Sequence, residues 1–82
     1  MEIKVIGSGC AACKKLLGMA QDAVKHLDAD ASVVYVTDMA EIMKTGVMST
    51  PGLMVNGKIK STGRVPSAKE VARLIQEELQ RD

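Results

Sequence analysis

The sequence predicts an α/β fold in which helices cover both faces of a four-stranded mixed sheet, in the order βαβαββα. Two β-branched runs, at residues 2–6 and 32–36, are separated by an amphipathic helical pattern, and strands joined in this way are parallel. Asn56-Gly57 lies between two further runs and is typical of a tight hairpin, which adds an antiparallel pair. A chain of 82 residues has the size of one small domain, so we expect a single domain over residues 1–82.

Composition and charge exclude several classes of partner. The formal net charge is +1 without a basic or acidic block, which argues against nucleic acid or an anionic membrane. Tyr35 is the only aromatic residue, so stacking surfaces for single-stranded nucleic acid are missing. No apolar stretch approaches the roughly 20 residues of a membrane span, and Gly7 and Gly9 interrupt the first apolar run. We therefore expect a cytoplasmic protein without a signal peptide.

The chain begins with a predicted strand and a long helix. Residues 2–6 alternate in polarity and are rich in β-branched side chains, and Gly7 ends this strand. A helical pattern starts at Cys10 and continues for about four turns. Its apolar positions recur every three or four residues: Cys13, Leu16, Leu17, Ala20, Val24 and Leu27.

A second strand and a short helix follow. The segment "SVVYV" at residues 32–36 is a nearly continuous apolar run, which is typical of a strand buried on both faces. Asp38 is a candidate N-cap for a helix over residues 39–45. The side chains that this helix is expected to direct inward are Met39, Ile42 and Met43.

A hairpin and a final helix complete the predicted fold. Strands at residues 53–55 and 58–61 are joined by a type I′ turn at Asn56-Gly57. Ser67 and the glutamate three residues later form a capping box that begins the last helix. Its predicted inner face consists of Val71, Leu74, Ile75 and Leu79.

Cys10 and Cys13 are the only cysteines of the chain, and three interpretations are open to them. A structural disulfide that closes about four residues contributes roughly 2 kcal/mol, against about 3 kcal/mol for a fifteen-residue loop, so the pair is a poor stabiliser. Two soft thiolates suit Cu(I) or Zn(II). A redox pair is the third interpretation, because positions i and i+3 at a helix start face the same side within disulfide distance.

The position of the pair favours a reactive Cys10. Unpaired N–H groups at a helix start stabilise negative charge, so a thiolate at Cys10 is favoured. Such a thiolate is also a good leaving group, and Cys10 can therefore accept and release a disulfide. Cys13 lies one turn further along, in the apolar stripe, and can attack a mixed disulfide intramolecularly. We predict that Cys10 is the exposed attacking thiol and that Cys13 is the buried resolving thiol.

Three segments carry a resemblance to a known family: "GSGCAACKK" from residue 7, "GVMSTPGLMVNGK" from residue 46 and "GRVPSAKEV" near the end. Over essentially the whole chain the sequence resembles small single-domain thioredoxin/glutaredoxin-like proteins, the redox-active disulfide proteins. The resemblance implies a thioredoxin-like fold and a thiol–disulfide oxidoreductase with Cys10 and Cys13 as the catalytic pair. It also implies that Pro51 is cis and that Thr50 and Pro51 bind extended substrate beside Cys10.

The same resemblance implies the partners of the reaction. These are a disulfide-containing protein substrate and an upstream thiol reductase, with electrons passing between them through a monomer that needs no cofactor.

Two departures from the familiar thioredoxin motif stand out: Gly9 replaces a tryptophan, and Ala11-Ala12 replaces Gly-Pro. No acidic residue occupies the inward positions of the first two strands, so the proton of Cys13 must leave through water or an unidentified group.

Two other functions stay open beside the redox interpretation. Small heavy-metal-binding domains also place CxxC between a first strand and a first helix, but this chain has a helical segment at 38–45 and ends on a helix. A non-catalytic module that uses the pair only as a sensor is the other alternative.

His26 lies too far along the first helix to be a base for Cys10. Methionines are expected to fill core gaps at Met19, Met39, Met43 and Met54, while the loop before Pro51 can bring Met48 near the site.

Overall fold

The computed structural model describes residues 1–80 and contains four strands and three helices in the predicted order. The strands are β1 (Glu2–Ile6), β2 (Ser32–Val36), β3 (Gly52–Val55) and β4 (Lys58–Thr62). The helices are α1 (Ala11–His26), α2 (Met39–Thr45) and α3 (Ala68–Leu79). The predicted order of elements is therefore confirmed, with bounds close to those read from the hydrophobic pattern.

The four strands form one mixed sheet in the order β2-β1-β3-β4. β1 is parallel to β2, with Ile3 opposite Val33, as expected for two strands joined by a helix. β1 is antiparallel to β3, with Val5 opposite Leu53, and β3 pairs with β4 as the predicted hairpin. The parallel pair and the hairpin therefore meet between β1 and β3, in the middle of the sheet.

Alternation along β1 divides the buried core between the two faces of the sheet. Ile3 and Val5 face α1 and α3 in the larger cluster. The other fully or nearly fully buried members of that cluster are Leu16, Ala20, Ala23, Leu53, Val55, Val71, Leu74 and Ile75. Ile6 faces the opposite side, where the smaller cluster adds Ile42, Val47 and Met54. Helices thus cover both faces, with α1 and α3 on one and α2 on the other.

The turn and the helix starts have the local geometry that the sequence indicates. Asn56 and Gly57 have positive φ values of 52° and 81°, which is the signature of a type I′ turn. Asp38 Oδ1 accepts a backbone N–H hydrogen bond in the first turn of α2 at 3.3 Å. Ser67 Oγ accepts one in the first turn of α3 at 3.2 Å. These caps satisfy donors that the start of a helix otherwise leaves unpaired.

The expectation that Met39 and Met43 point inward is wrong. They are 64% and 75% exposed, and Ile42 is the one buried residue of this seven-residue helix. The reason is that Ile42 and Val47 already cover the apolar side chains on this face of the sheet. The other two methionines predicted to fill the core are buried or partly buried: Met54 and Met19.

The expectation that β2 is buried on both faces is also wrong. β2 is an edge strand, and Val34 is 40% exposed. Val33 and Tyr35 pack against the larger cluster from one face. Val34 faces the other side, opposite the half-buried Lys4 of β1. On that face Val36 packs against the smaller cluster, whereas Val34 stays exposed, so the second face of this edge strand is only partly covered.

The inner face of α3 departs from the prediction at its last turn. Val71, Leu74 and Ile75 are buried as expected, but Leu79 is 37% exposed and the preceding Glu78 is only 5% exposed. The cause is a pair of lysines on β4, which face this turn and bind the carboxylate. The last turn of α3 is therefore oriented by an ion pair rather than by an apolar contact.

Candidate active site

Cys10 and Cys13 form a disulfide at the start of α1, with their Cα atoms 5.1 Å apart. Cys10 is the N-cap residue and is exposed, whereas Cys13 is completely buried. The predicted difference in exposure between the two cysteines is thus confirmed. A partner molecule can therefore reach Cys10 but not Cys13 in this state.

The sulfur of Cys10 occupies the place of a capping oxygen. Its Sγ atom accepts a hydrogen bond from the backbone N–H of Cys13 at 3.1 Å. No acidic residue lies in the first turn of α1, so no carboxylate in that turn opposes the backbone donor and the positive end of the helix dipole. In the reduced form the same donor can bind a Cys10 thiolate, which stabilises the charged, nucleophilic form of the sulfur.

Gly7 is a site residue that the sequence interpretation missed. A Cβ atom at Gly7 would lie 2.7 Å from Cβ of Cys13 and would also clash with its Sγ atom. The Gly7 N–H donates to the carbonyl of Val36 at 3.0 Å, which fixes its backbone to the end of β2. A glycine directly after a strand was the available signal, but the pattern gave it only the role of ending that strand. In the fold it provides the space in which Cys13 is buried.

The loop before β3 lies at the same end of the sheet as the cysteine pair. Gly52 pairs with Ile6, the last residue of β1, so the two residues that precede Gly52 lie beside the start of the segment that leads to Cys10. The Thr50–Pro51 peptide bond is cis, as predicted. Pro51 is buried and Thr50 is exposed, and the Pro51 carbonyl accepts a hydrogen bond from the turn after β4 at 3.0 Å. The structure therefore brings the predicted residues together at one end of the sheet.

Other chemistry-bearing residues lie away from this end. His26 is the exposed last residue of α1, at the end of the helix opposite to Cys10. Across residues 1–80, no cluster of three or more His, Cys, Asp or Glu side chains is placed to hold a metal ion. Within the same described part of the chain, none of the helices is both long and apolar enough to span a membrane.

An accessible cysteine at a helix N-cap, disulfide-bonded to a buried cysteine one turn later on this fold, defines the thiol–disulfide oxidoreductases of the thioredoxin fold. The family model described as a thioredoxin domain matches residues 1–76, and the chain belongs to this family.

Individual relatives agree with this assignment. The chain is 39% identical over 75 residues to a thioredoxin of Methanothermobacter thermautotrophicus, an alignment that covers 92% of this chain and 97% of that one. It is 36% identical over 69 residues to a thioredoxin of Methanocaldococcus jannaschii, covering 84% and 79%. The structure of thioredoxin 1 from Thermosipho africanus TCF52B superposes with a TM-score of 0.66 at 25% identity, covering 98% of this chain and 96% of that chain. The predicted thioredoxin-like fold is confirmed.

Proposed function

We propose that the protein is a thiol–disulfide oxidoreductase that reduces disulfides in protein substrates through Cys10 and Cys13. One observation carries the proposal: an exposed N-cap cysteine is bridged to a buried cysteine one turn later, in a chain of the thioredoxin family. A purely structural role accounts poorly for this bridge, because so short a loop removes little entropy from the unfolded chain.

The reaction begins with the reduced pair, in which Cys10 is a thiolate and Cys13 is a thiol. The Cys10 thiolate attacks one sulfur of the substrate disulfide, the substrate S–S bond breaks, and the departing substrate thiolate takes a proton from water. The Cys13 thiol then loses its proton to water and attacks Sγ of Cys10. This displaces the second substrate sulfur as a thiolate, which takes up a proton from water, and it leaves the Cys10–Cys13 disulfide. Two electrons have passed from the pair to the substrate.

The roles of the two cysteines follow from their surroundings. Cys10 is exposed and its sulfur faces a backbone donor at 3.1 Å, which supports it as the attacking group. Cys13 is fully buried, which supports it as the resolving group that reacts only within the mixed disulfide. Thr50 and Pro51 are proposed to bind the extended substrate segment, since their loop lies at the same end of the sheet.

Turnover requires a second partner that restores the dithiol. We propose an upstream thiol reductase for this step, because the chain itself contributes only one pair of cysteines. The working form is proposed to be a cytoplasmic monomer with one domain over residues 1–82 that needs no cofactor. Cytoplasmic location fits the use of a lone cysteine pair for catalysis rather than for structure.

The test is a redox titration of the purified protein in glutathione buffers, read by alkylation and mass spectrometry. We expect a reversible two-electron transition between the dithiol and the Cys10–Cys13 disulfide, with unchanged far-ultraviolet circular dichroism, since the bridge is local. A pair that stays reduced in strongly oxidising buffer contradicts the proposal, and so does loss of the fold on oxidation. Metal analysis of the same sample tests the carrier alternative.

A further inference from the structure

The two edge strands of the sheet are protected to different degrees. β4 carries Lys58 and Lys60, and its pairing with β3 shifts register between Leu53 and Met54. Charged side chains and bulges of this kind discourage an edge strand from pairing with another chain. β2 has neither device: residues 31–37 include no charged residue, proline or glycine, and its pairing with β1 is regular. The outer side of β2, which we call the β2 edge, is therefore open to a further strand.

The backbone of β2 offers hydrogen-bonding groups along this edge. The N–H of Ser32 and the carbonyl of Val36 bond to the residues that flank β1, at 3.1 and 3.0 Å. Because successive residues of a strand direct these groups to opposite sides, Val34 also faces β1, whereas Val33 and Tyr35 face outward. Across residues 1–80, no strand pairs with the outward groups. An added strand would find two donors and two acceptors there.

The centre of the β2 edge is apolar and incompletely covered. Val34 is 40% exposed on one face of the sheet. Val33 and Tyr35, on the other face, are only partly buried although they pack against the larger cluster. A strand alongside β2 would cover the outer sides of these residues, and β-branched or aromatic pairs across strands are favourable. The centre of the edge therefore suits a segment rich in β-branched residues.

Both ends of the β2 edge are acidic. Asp28 and Asp30 precede the strand, Asp38 follows it, and all three are exposed. Asp38 accepts a backbone hydrogen bond at the start of α2 through one carboxylate oxygen. The ammonium group of Met1 lies 3.3 Å from the carbonyl of Asp30, on the side of β1. Since opposite charges across strands attract, the matching segment carries lysine or arginine at its ends.

A second copy of the chain does not meet this condition. An antiparallel copy that bonds to the outward groups would place Val33 opposite the Tyr35 of the other copy. The same register places Asp30 opposite the Asp38 of the other copy, and twofold symmetry repeats this contact. Like charges directly opposite each other destabilise a strand pair. The charges at the two ends therefore favour a different protein as the occupant.

We propose that the β2 edge binds an extended segment of a partner protein, with β-branched residues at its centre and lysine or arginine at both ends, as a fifth strand of the sheet. This inference goes beyond the proposed function, because the binding involves neither cysteine. The carbonyl of Val36 binds Gly7, three residues before Cys10. A protein held at the β2 edge is thus kept beside the segment that carries the reactive sulfur.

The probe is a seven-residue peptide in which valine and threonine alternate between two terminal lysines. It contains no cysteine, so disulfide exchange does not contribute to its binding. Amide hydrogen exchange, followed by NMR, should slow about tenfold at Val33 and Tyr35 when the peptide is saturating. Exchange at Val34, which is already bonded to β1, should change little. The same peptide with N-methylated central amides should not bind, because it cannot form the strand ladder.

Val34→Lys adds a positive charge to the centre of the β2 edge. It should weaken binding of the lysine-flanked peptide about tenfold, measured by fluorescence anisotropy of a labelled peptide. Ile59→Lys is the matched control, since Ile59 is an apolar residue, 45% exposed, on the opposite edge strand. It should bind the peptide as the wild type does. Both variants should reduce hydroxyethyl disulfide at the wild-type rate, which reports an intact fold.

Asp30→Asn/Asp38→Asn removes the acidic ends. It should lower the affinity about fivefold at low salt, as expected for two cross-strand charge pairs. Asparagine is also a good N-cap, so α2 keeps its start. Asp22→Asn is the matched control, because Asp22 lines a cavity between α1 and the first residue of α3, away from β2. It should leave the affinity unchanged.

Three results would overturn the inference. The first is unchanged exchange at Val33 and Tyr35 in the presence of saturating peptide. The second is equal affinity for the lysine-flanked peptide and for one flanked by glutamates, which would show that the acidic ends select nothing. The third comes from sedimentation without peptide: a dimer that Val34→Lys dissociates would make a second copy the occupant, whereas a monomer supports the partner segment.

Discussion

The ammonium group of Lys60 lies 2.9 Å from Oε2 of Glu78, and this ion pair joins β4 to the last turn of α3. Both side chains are largely withdrawn from solvent, at 14% and 3% exposure. Lys58 binds the other carboxylate oxygen at 3.3 Å. Two lysines therefore compensate one buried carboxylate, which is the condition under which a buried charge is tolerated in a small core.

Stability should depend on pH through this carboxylate. The hydrogen bond from Lys60 is the main cause that lowers the pKa of Glu78 below its ordinary value of 4.5; burial opposes it in part, and Lys58 adds to the lowering. The unfolded chain therefore binds this proton more readily than the folded one. The stabilisation is complete above the ordinary pKa and is lost as pH falls through the lowered one.

Urea unfolding of the wild type and Glu78→Gln at pH 7 and pH 3 checks this. The variant should be less stable than the wild type at pH 7, and the difference should shrink at pH 3. Glu77→Gln is the control, since Glu77 is a neighbouring and more exposed partner of Lys60. If Glu78→Gln lowers the free energy of unfolding by the same amount at both pH values, then lost packing rather than lost charge causes the destabilisation.

The space at Gly7 should be required for burial of Cys13. Gly7→Ala places a methyl group 2.7 Å from Cβ of Cys13, and we expect a loss of about 1–3 kcal/mol in the free energy of unfolding, which is typical of overpacking. Resolution of mixed disulfides by Cys13 should also become slower. Urea unfolding and single-turnover reduction of a peptide disulfide measure the two effects.

Gly18→Ala is the matched control for this substitution. Gly18 lies inside α1, and a Cβ atom there would contact nothing within 4 Å. Because alanine is the better helix former, we expect a gain of about 0.5–1 kcal/mol and unchanged resolution. Equal effects of the two substitutions would remove the special role of Gly7.

The sequence predicts most of the fold because its local signals agree with each other. Polarity alternation, N-caps at Asp38 and Ser67, and the Asn56-Gly57 turn each depend on residues close in the chain. The position of a strand at the edge of the sheet does not depend on residues close in the chain. The run at 32–36 has the composition of a central strand, but β2 has a neighbouring strand on one side only. Which strand lies at an edge depends on the pairing of β1 with β3, which no local pattern contains.

The site was predicted unevenly for a similar reason. The cysteine pair and the loop at Thr50 could be recognised because a short sequence motif and its spacing identify each of them. The role of Gly7 depends on how closely α1 approaches the end of β1, and the exposure of Met39 and Met43 depends on how little surface a seven-residue helix covers. At the end of α3, helical spacing favours Leu79 as the inner residue. The lysines of β4 favour Glu78 instead, and only the tertiary structure brings them together.

The two cysteines should differ sharply when each is replaced. In Cys13→Ser the exposed Cys10 still attacks but cannot be released, so mixed disulfides with a protein substrate should accumulate. In Cys10→Ser the remaining thiol is buried and should form none. Non-reducing gels after incubation with a disulfide substrate measure the adducts. Adducts that form only with Cys10→Ser would reverse the assignment, and a metal carrier would instead lose binding in both variants.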